Sequence, residues 1–93
     1  MSNHIYIVKT TFVDHDGDKS YGYRIYDDYA KDYNNMLEED EFEKMSNEEM
    51  LWHAYENTTE VTNALFDYAI SNDDVIIVNG VPFQAVDLLE EGP

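Results

Sequence analysis

The sequence predicts an α+β fold in which a small antiparallel sheet, made of two β-hairpins, packs against one long helix. Two observations carry this prediction. Strand-like segments separated by turn-forming residues occur near both ends of the chain, and a long amphipathic segment with a helix-start signature lies between them. At 93 residues the chain has the length of one domain, which we expect to span residues 1–93.

The first hairpin is predicted from two segments rich in branched and aromatic residues, His4 to Val13 and Ser20 to Tyr26. The intervening cluster, Asp14 to Lys19, favours a turn. Its alternating aspartates suggest a calcium loop, but Gly17 stands fourth instead of sixth and Ile25 occupies the position of the ligating Glu. We therefore expect a polar turn with Gly17 at positive φ rather than a specific calcium site.

Residues 27–45 show a weaker pattern. Tyr26, Tyr29 and Tyr33 keep helical spacing, but Asn34-Asn35 interrupts it. This stretch is predicted to be a short helix or irregular. Its tyrosines could anchor a partner, although half-buried packing is the more frequent role of tyrosine at such spacing.

The long helix is predicted to begin at Ser46, because Ser46-Asn47-Glu48-Glu49 matches a capping box. Apolar residues then recur at three- and four-residue intervals to about Ile70, with a possible break at Asn57-Thr58-Thr59.

The second hairpin joins Val75 to Val78 and Val81 to Val86 through Asn79-Gly80, the strongest short hairpin signal in the chain. Pro82 has no amide hydrogen for a ladder, so the last strand should lie at an edge or start after it.

Composition separates this chain from acidic disordered tails. Five basic residues stand against 21 acidic ones, a formal charge of −16, which exceeds what solubility requires. Yet 43% of the residues are hydrophobic and 14% aromatic, enough to build a core. Because self-repulsion on this scale opposes folding, we expect the charge to have a function.

Motifs for catalysis or cofactor binding are not recognisable. The chain has no cysteine, its three histidines (His4, His15 and His53) are scattered, and its glycines form no phosphate loop. We therefore predict no catalytic residue, cofactor or metal. Five basic residues cannot neutralise a nucleic acid backbone, so direct nucleic acid binding is not expected.

The sequence also predicts no membrane association. The longest unbroken apolar run is Val75 to Val78, and the amino terminus lacks the pattern of a signal peptide. We accordingly expect a cytoplasmic protein.

Carboxylates are concentrated between residues 27 and 60. An ordinary solvated face is the simplest interpretation, but the imbalance of the whole chain favours a partner-binding surface. The predicted surface comprises Asp27, Asp28, Asp32, Glu38, Glu39, Asp40, Glu41, Glu43, Glu48, Glu49, Glu56 and Glu60. Carboxylates three or four residues apart on a helix lie about 5 to 6 Å apart, a density comparable to that of phosphates on duplex DNA.

In size, composition and the run Tyr21-Gly22-Tyr23-Arg24-Ile25-Tyr26-Asp27-Asp28-Tyr29, followed by an acidic segment, the chain resembles the phage-encoded DNA-mimic anti-restriction proteins, among them the anti-restriction nuclease proteins of T-even phages. The resemblance implies a non-enzymatic inhibitor that occupies the DNA-binding cleft of a host nuclease, in particular a modification-dependent restriction endonuclease.

Other functions remain open from the sequence. Related mimics inhibit Cas effectors or uracil-DNA glycosylase, and an acidic adaptor or regulatory protein that binds a basic partner would share the composition. A homodimer is also compatible with the sequence.

Overall fold

The computed structural model describes residues 4–29 and 32–90, and within them it confirms the predicted α+β class. The remaining residues of the predicted 1–93 domain lie outside this description. The strands are β1 (Ile5–Val13), β2 (Lys19–Asp27), β3 (Asp32–Leu37), β4 (Val75–Val78) and β5 (Val81–Gln84). The helices are α1 (Glu39–Lys44), α2 (Asn47–Glu56), α3 (Glu60–Ser71) and the single turn α4 (Asp87–Glu90).

The prediction of an antiparallel sheet is wrong in one respect, because the five strands form a mixed sheet in the order β3-β2-β1-β4-β5. β1 lies in the middle, antiparallel to β2 and parallel to β4, with Ile5 beside Ile76 and Ile7 beside Val78. A parallel neighbour requires a long crossover. Helices α1, α2 and α3 fall between β3 and β4 and supply this connection.

Both predicted hairpins are confirmed. In the first, one carboxylate oxygen of Asp14 accepts the amide hydrogens of Asp16 and Asp18, each at 2.9 Å, and Gly17 has a φ of 84°. In the second, Asn79 and Gly80 both have positive φ, which matches the twist of the flanking strands. β5, with Pro82, is an edge strand as predicted.

The prediction of one long helix is corrected to two helices, α2 and α3, which separate at the suspected break. The side-chain amide of Asn57 donates to the carbonyl oxygen of His53 at 2.9 Å and ends α2. The hydroxyl of Thr59 accepts the amide hydrogen of Thr62 at 3.3 Å and begins α3. The His53 carbonyl also accepts the backbone amide hydrogen of Asn57, so Asn57 adds a second hydrogen bond at this end of α2. Thr59 satisfies the amide of Thr62, which a continuous helix would have paired internally.

Residues 27–45, predicted to be a short helix or irregular, contain strand β3, which the sequence did not predict, followed by helix α1. The helical spacing of Tyr26, Tyr29 and Tyr33 was misleading, because Tyr26 lies in β2, Tyr29 in the following turn and Tyr33 in β3. β3 approaches β2 closely at Gly22. A Cβ at this position would overlap the carbonyl oxygen of Asn35. Gly22 therefore permits the pairing of β2 with β3.

The sheet has two unlike faces. The inner face, which includes Ile5, Ile7, Tyr23, Ile25 and Ile76, is buried against α2, α3 and α4. The opposite face, called here the open sheet face, is formed by the alternate residues of the strands and carries none of the described helices. Its members are Tyr6, Val8, Thr10, Phe12, Ser20, Gly22, Arg24, Tyr26, Asp32, Asn34, Met36, Val75, Ile77, Pro82 and Gln84.

Within the described ranges, no helix combines the length and the apolar character needed to cross a membrane.

Candidate functional site: an acidic band across the helical layer

The helical layer displays most of the predicted acidic surface. Nine of the twelve predicted residues are exposed on or next to helices α1, α2 and α3. They are Glu38, Glu39, Asp40, Glu41, Glu43, Glu48, Glu49, Glu56 and Glu60.

Three adjoining depressions organise part of this layer. The largest, about 670 Å³, runs along the outer side of α2 and is lined by Met45, Glu49, Trp52 and Glu56, among others. It shares Met45 and Glu49 with a depression next to α1, and it shares Glu48 and Trp52 with one that reaches α4. We call the carboxylates that line them the acidic band; they are Asp40, Glu41, Glu48, Glu49, Glu56 and Asp87.

Helix starts fix the orientation of two carboxylates of the band. The Glu49 carboxylate accepts the backbone amide hydrogen of Ser46 at 3.0 Å, while the Ser46 hydroxyl accepts the amide hydrogen of Glu49 at 3.1 Å. This is the predicted capping box. The hydrogen bonds from Ser46 lower the pKa of Glu49 below its usual value. Glu41 is held similarly, accepting the amide hydrogen of Glu38 at 3.0 Å. Both side chains are thus held in place by the backbone at the start of their own helix.

An indole lies in the middle of the band. Trp52 is half-buried, packs against the core and makes an edge contact with Tyr55 at 5.9 Å between ring centroids. Trp52 was not predicted to belong to the surface, although it follows Glu49 by three residues and precedes Glu56 by four, which places all three on one side of a helix. Asp87 was also missed, because only the chain reversal after β5 brings it next to Glu48.

His53, which lines the largest depression, takes part in a polar contact with Tyr23 and Asn35. The side-chain amide of Asn35 donates to the Tyr23 hydroxyl oxygen at 2.9 Å. The Tyr23 hydroxyl lies 2.5 Å from His53 Nδ1. Burial raises the pKa of Tyr23 to about 12, so this phenol keeps its proton at neutral pH. The contact therefore positions His53 among the residues that line this depression.

Seven of the twelve predicted residues do not line the depressions. Glu38, Glu39, Glu43 and Glu60 are exposed elsewhere on the helical layer, whereas Asp27, Asp28 and Asp32 lie away from that layer. Asp27 does not belong to the surface at all, since it is 3% exposed on the inner side of β2 and accepts the amide hydrogen of Tyr29. Asp28 contacts His4 and Tyr6. Asp32, on the open sheet face, pairs with Arg24 at 2.6 Å. The prediction treated the acidic residues as one surface, but strand alternation directs Asp27 to the inner face and Asp32 to the open sheet face, and Asp28 lies in the turn after β2.

The chemistry available to the band is cation recognition. Its six carboxylates line the three depressions, and Lys44 is the only ammonium group among the lining residues. In the part of the chain that the structure describes, His, Asp and Glu form no cluster suited to a metal ion.

The chain matches no known protein family, no curated protein and no solved structure.

Proposed function

We propose that this protein is a non-enzymatic DNA mimic that acts in the cytoplasm and inhibits a host nuclease, in particular a modification-dependent restriction endonuclease, by occupying its DNA-binding cleft. The observation that carries the proposal is the acidic band, a continuous strip of six carboxylates with a half-buried indole at its centre.

The spacing of the band supports recognition by a cleft built for phosphates. On α2, three carboxylates of the band, Glu48, Glu49 and Glu56, fall within about 12 Å along the helix axis. Duplex DNA carries one charge per about 3.4 Å of axis on each strand. Contacts to phosphates carry no sequence information, so a cleft that relies on them can accept carboxylates held at a comparable density.

Trp52 and the charges contribute differently to binding. Long-range attraction raises the rate of association and is screened by salt. A half-buried aromatic ring offers apolar area to a partner, and such residues are frequent anchors of interfaces. The band therefore supplies both attraction and a contact that can exclude water.

The test is competition with DNA for a panel of modification-dependent restriction endonucleases. Displacement of a fluorescent modified duplex and inhibition of its cleavage are measured as the protein is added. We expect mutually exclusive binding that weakens as NaCl is raised. Reversal of two band residues, Glu48→Lys with Glu56→Lys, should weaken inhibition about tenfold or more.

The matched control is Asp16→Lys with Asp18→Lys, which changes the net charge by the same amount but lies in the first hairpin turn, outside the band. It should inhibit nearly as well as the wild type. If both double variants lose inhibition equally, inhibition depends on the net charge of the protein and not on the position of the band. A ternary complex of nuclease, DNA and this protein would refute mimicry and favour an acidic adaptor instead.

A further inference from the structure

The open sheet face differs from the rest of the molecule in both charge and polarity. Its described residues include a single carboxylate, Asp32, and a single cation, Arg24, and these two form an ion pair at 2.6 Å. The strand residues of the face therefore carry no net charge in a chain whose formal charge is −16, and a further carboxylate, that of Asp28, accepts the hydroxyl hydrogen of Tyr6 at the edge of the face. Like-charge repulsion between two copies is smallest where neither presents net charge.

Apolar and aromatic side chains occupy much of this face. Tyr6 stacks on Tyr26 with ring centroids 5.0 Å apart, and Arg24 lies 5.2 Å from the centre of the Tyr26 ring. Val8 and Ile77 are only half-buried, and Met36 is 57% exposed. These side chains do not belong to the core, which lies on the opposite side of the sheet.

We propose that two copies of this chain associate back to back through their open sheet faces. The arrangement is a β-sandwich, with sheets about 10 Å apart and strands crossing at about 30°. It leaves the acidic bands of both copies on the outside, so the dimer could present two bands to its targets. This proposal goes beyond the proposed function and does not require it.

The available area fits a weak dimer. From strand spacing and rise, five strands of the observed lengths cover roughly 500 Å² per copy, or about 1,000 Å² for both. This is near the lower limit for a specific interface. We therefore expect reversible association that depends on protein concentration.

Electrostatics indicates how the two sheets are oriented. The turn joining β1 and β2 carries Asp14, Asp16 and Asp18, all exposed, at one end of the face. A two-fold axis across the strands places the two turns at opposite ends of the sandwich, whereas an axis along the strands would bring them together. The first arrangement avoids this repulsion.

Salt should affect this association in the opposite direction from target binding. Screening weakens the repulsion between two chains of charge −16, so NaCl should favour the dimer, while it should weaken the attraction between the acidic band and a basic cleft. Failure of one proposal is thus distinguishable from failure of the other.

The experiment is sedimentation equilibrium of the full chain from about 1 to about 200 µM, at low salt and at about 0.5 M NaCl. We expect dimers at the upper concentrations in 0.5 M NaCl and a shift toward monomer at low salt. A wild-type protein that remains monomeric throughout overturns the proposal.

Two variants locate the interface. Val8→Glu, in the middle of the open sheet face, should raise the dimer dissociation constant about tenfold or more, and Asn34→Glu, at an exposed position on the same face, should also raise it. The control Ala64→Glu adds the same charge at an exposed position on α3 and should dimerise as the wild type.

Circular dichroism is used to determine whether each variant is folded. If Val8→Glu does not fold, Asn34→Glu and the wild-type concentration series still decide the question. If Asn34→Glu and a folded Val8→Glu both dimerise as strongly as the wild type, the proposed interface is wrong. A monomeric wild type whose inhibition is abolished by Val8→Glu would assign the face to the target and overturn self-association.

Discussion

At the scale of single residues, charge in this protein has local structural roles as well as a surface role. Asp28 is an example. Its Oδ2 accepts the backbone amide hydrogen of His4 at 2.8 Å and lies 3.1 Å from Nδ1 of the His4 ring. Tyr6 donates its hydroxyl to Asp28 Oδ1 at 2.9 Å. These contacts lower the pKa of Asp28, the backbone hydrogen bond from His4 having the largest effect.

The lowered pKa of Asp28 implies a pH-dependent contribution to stability. Because the folded state favours the ionised carboxylate, its contribution is complete above the unfolded pKa and disappears as the pH falls through the folded value. We expect Asp28→Asn to lower the melting temperature at neutral pH. The difference from wild type should shrink below about pH 4, which thermal melts across the acid range would measure.

Asp67→Asn is the control for this prediction, since it removes one charge from the exposed surface of α3. Its melting temperature should equal or slightly exceed that of the wild type at neutral pH, because it relieves repulsion. If Asp28→Asn behaves in the same way as Asp67→Asn, the contacts of Asp28 do not stabilise the fold.

At the scale of elements, local signals in the sequence were reliable where a short motif defines the backbone. The Ser46 to Glu49 capping box and the Asn79-Gly80 turn were both predicted, and each depends on groups within four residues of one another. The break between α2 and α3 was also suspected, because Asn57 and Thr59 are residues that terminate and cap helices.

Elements that depend on distant residues were not predictable in the same way. The strand β3 contains Asn34 and Asn35, which have low strand propensity, and it forms because Tyr33 and Leu37 pack inward while Gly22 admits the backbone of Asn35. The parallel pairing of β1 with β4 leaves no local signal either. For the acidic band, the residues of α1 and α2 were predicted, whereas Asp87 required tertiary contact.

The Ser46 cap at the start of α2 should stabilise the protein. Ser46→Ala removes the hydroxyl that accepts the Glu49 amide hydrogen and should reduce the free energy of unfolding by about 1 kcal/mol, measured by urea denaturation. Ser71→Ala removes a hydroxyl from the last residue of α3 and should change stability by less than half as much. Equal effects of the two changes would show that the cap does not stabilise α2.

At the scale of the whole molecule, the helical layer separates apolar packing from negative charge. Apolar packing lies between the sheet and the helices, and negative charge accumulates on the outer side of those helices. The fold thus tolerates a charge of −16 by keeping most carboxylates in contact with water.

Self-repulsion nevertheless opposes the compact state, so added NaCl should raise the melting temperature of the monomer. The increase should be smaller for Glu48→Lys with Glu56→Lys, because each reversal changes the charge by two and the pair lowers its magnitude from 16 to 12. Differential scanning fluorimetry at low protein concentration is a suitable measurement. A melting temperature that is independent of NaCl would mean that repulsion contributes little to the stability of this fold.

The central position of β1 also determines the order in which the sheet can be completed during synthesis. β1, β2 and β3 follow one another closely along the chain, and antiparallel neighbours of this kind can pair early. The second edge of β1 is covered by β4, which begins at Val75, after β2, β3 and the helices α1, α2 and α3 have been made. Until then, an apolar strand edge of the nascent chain remains open to pairing with other chains.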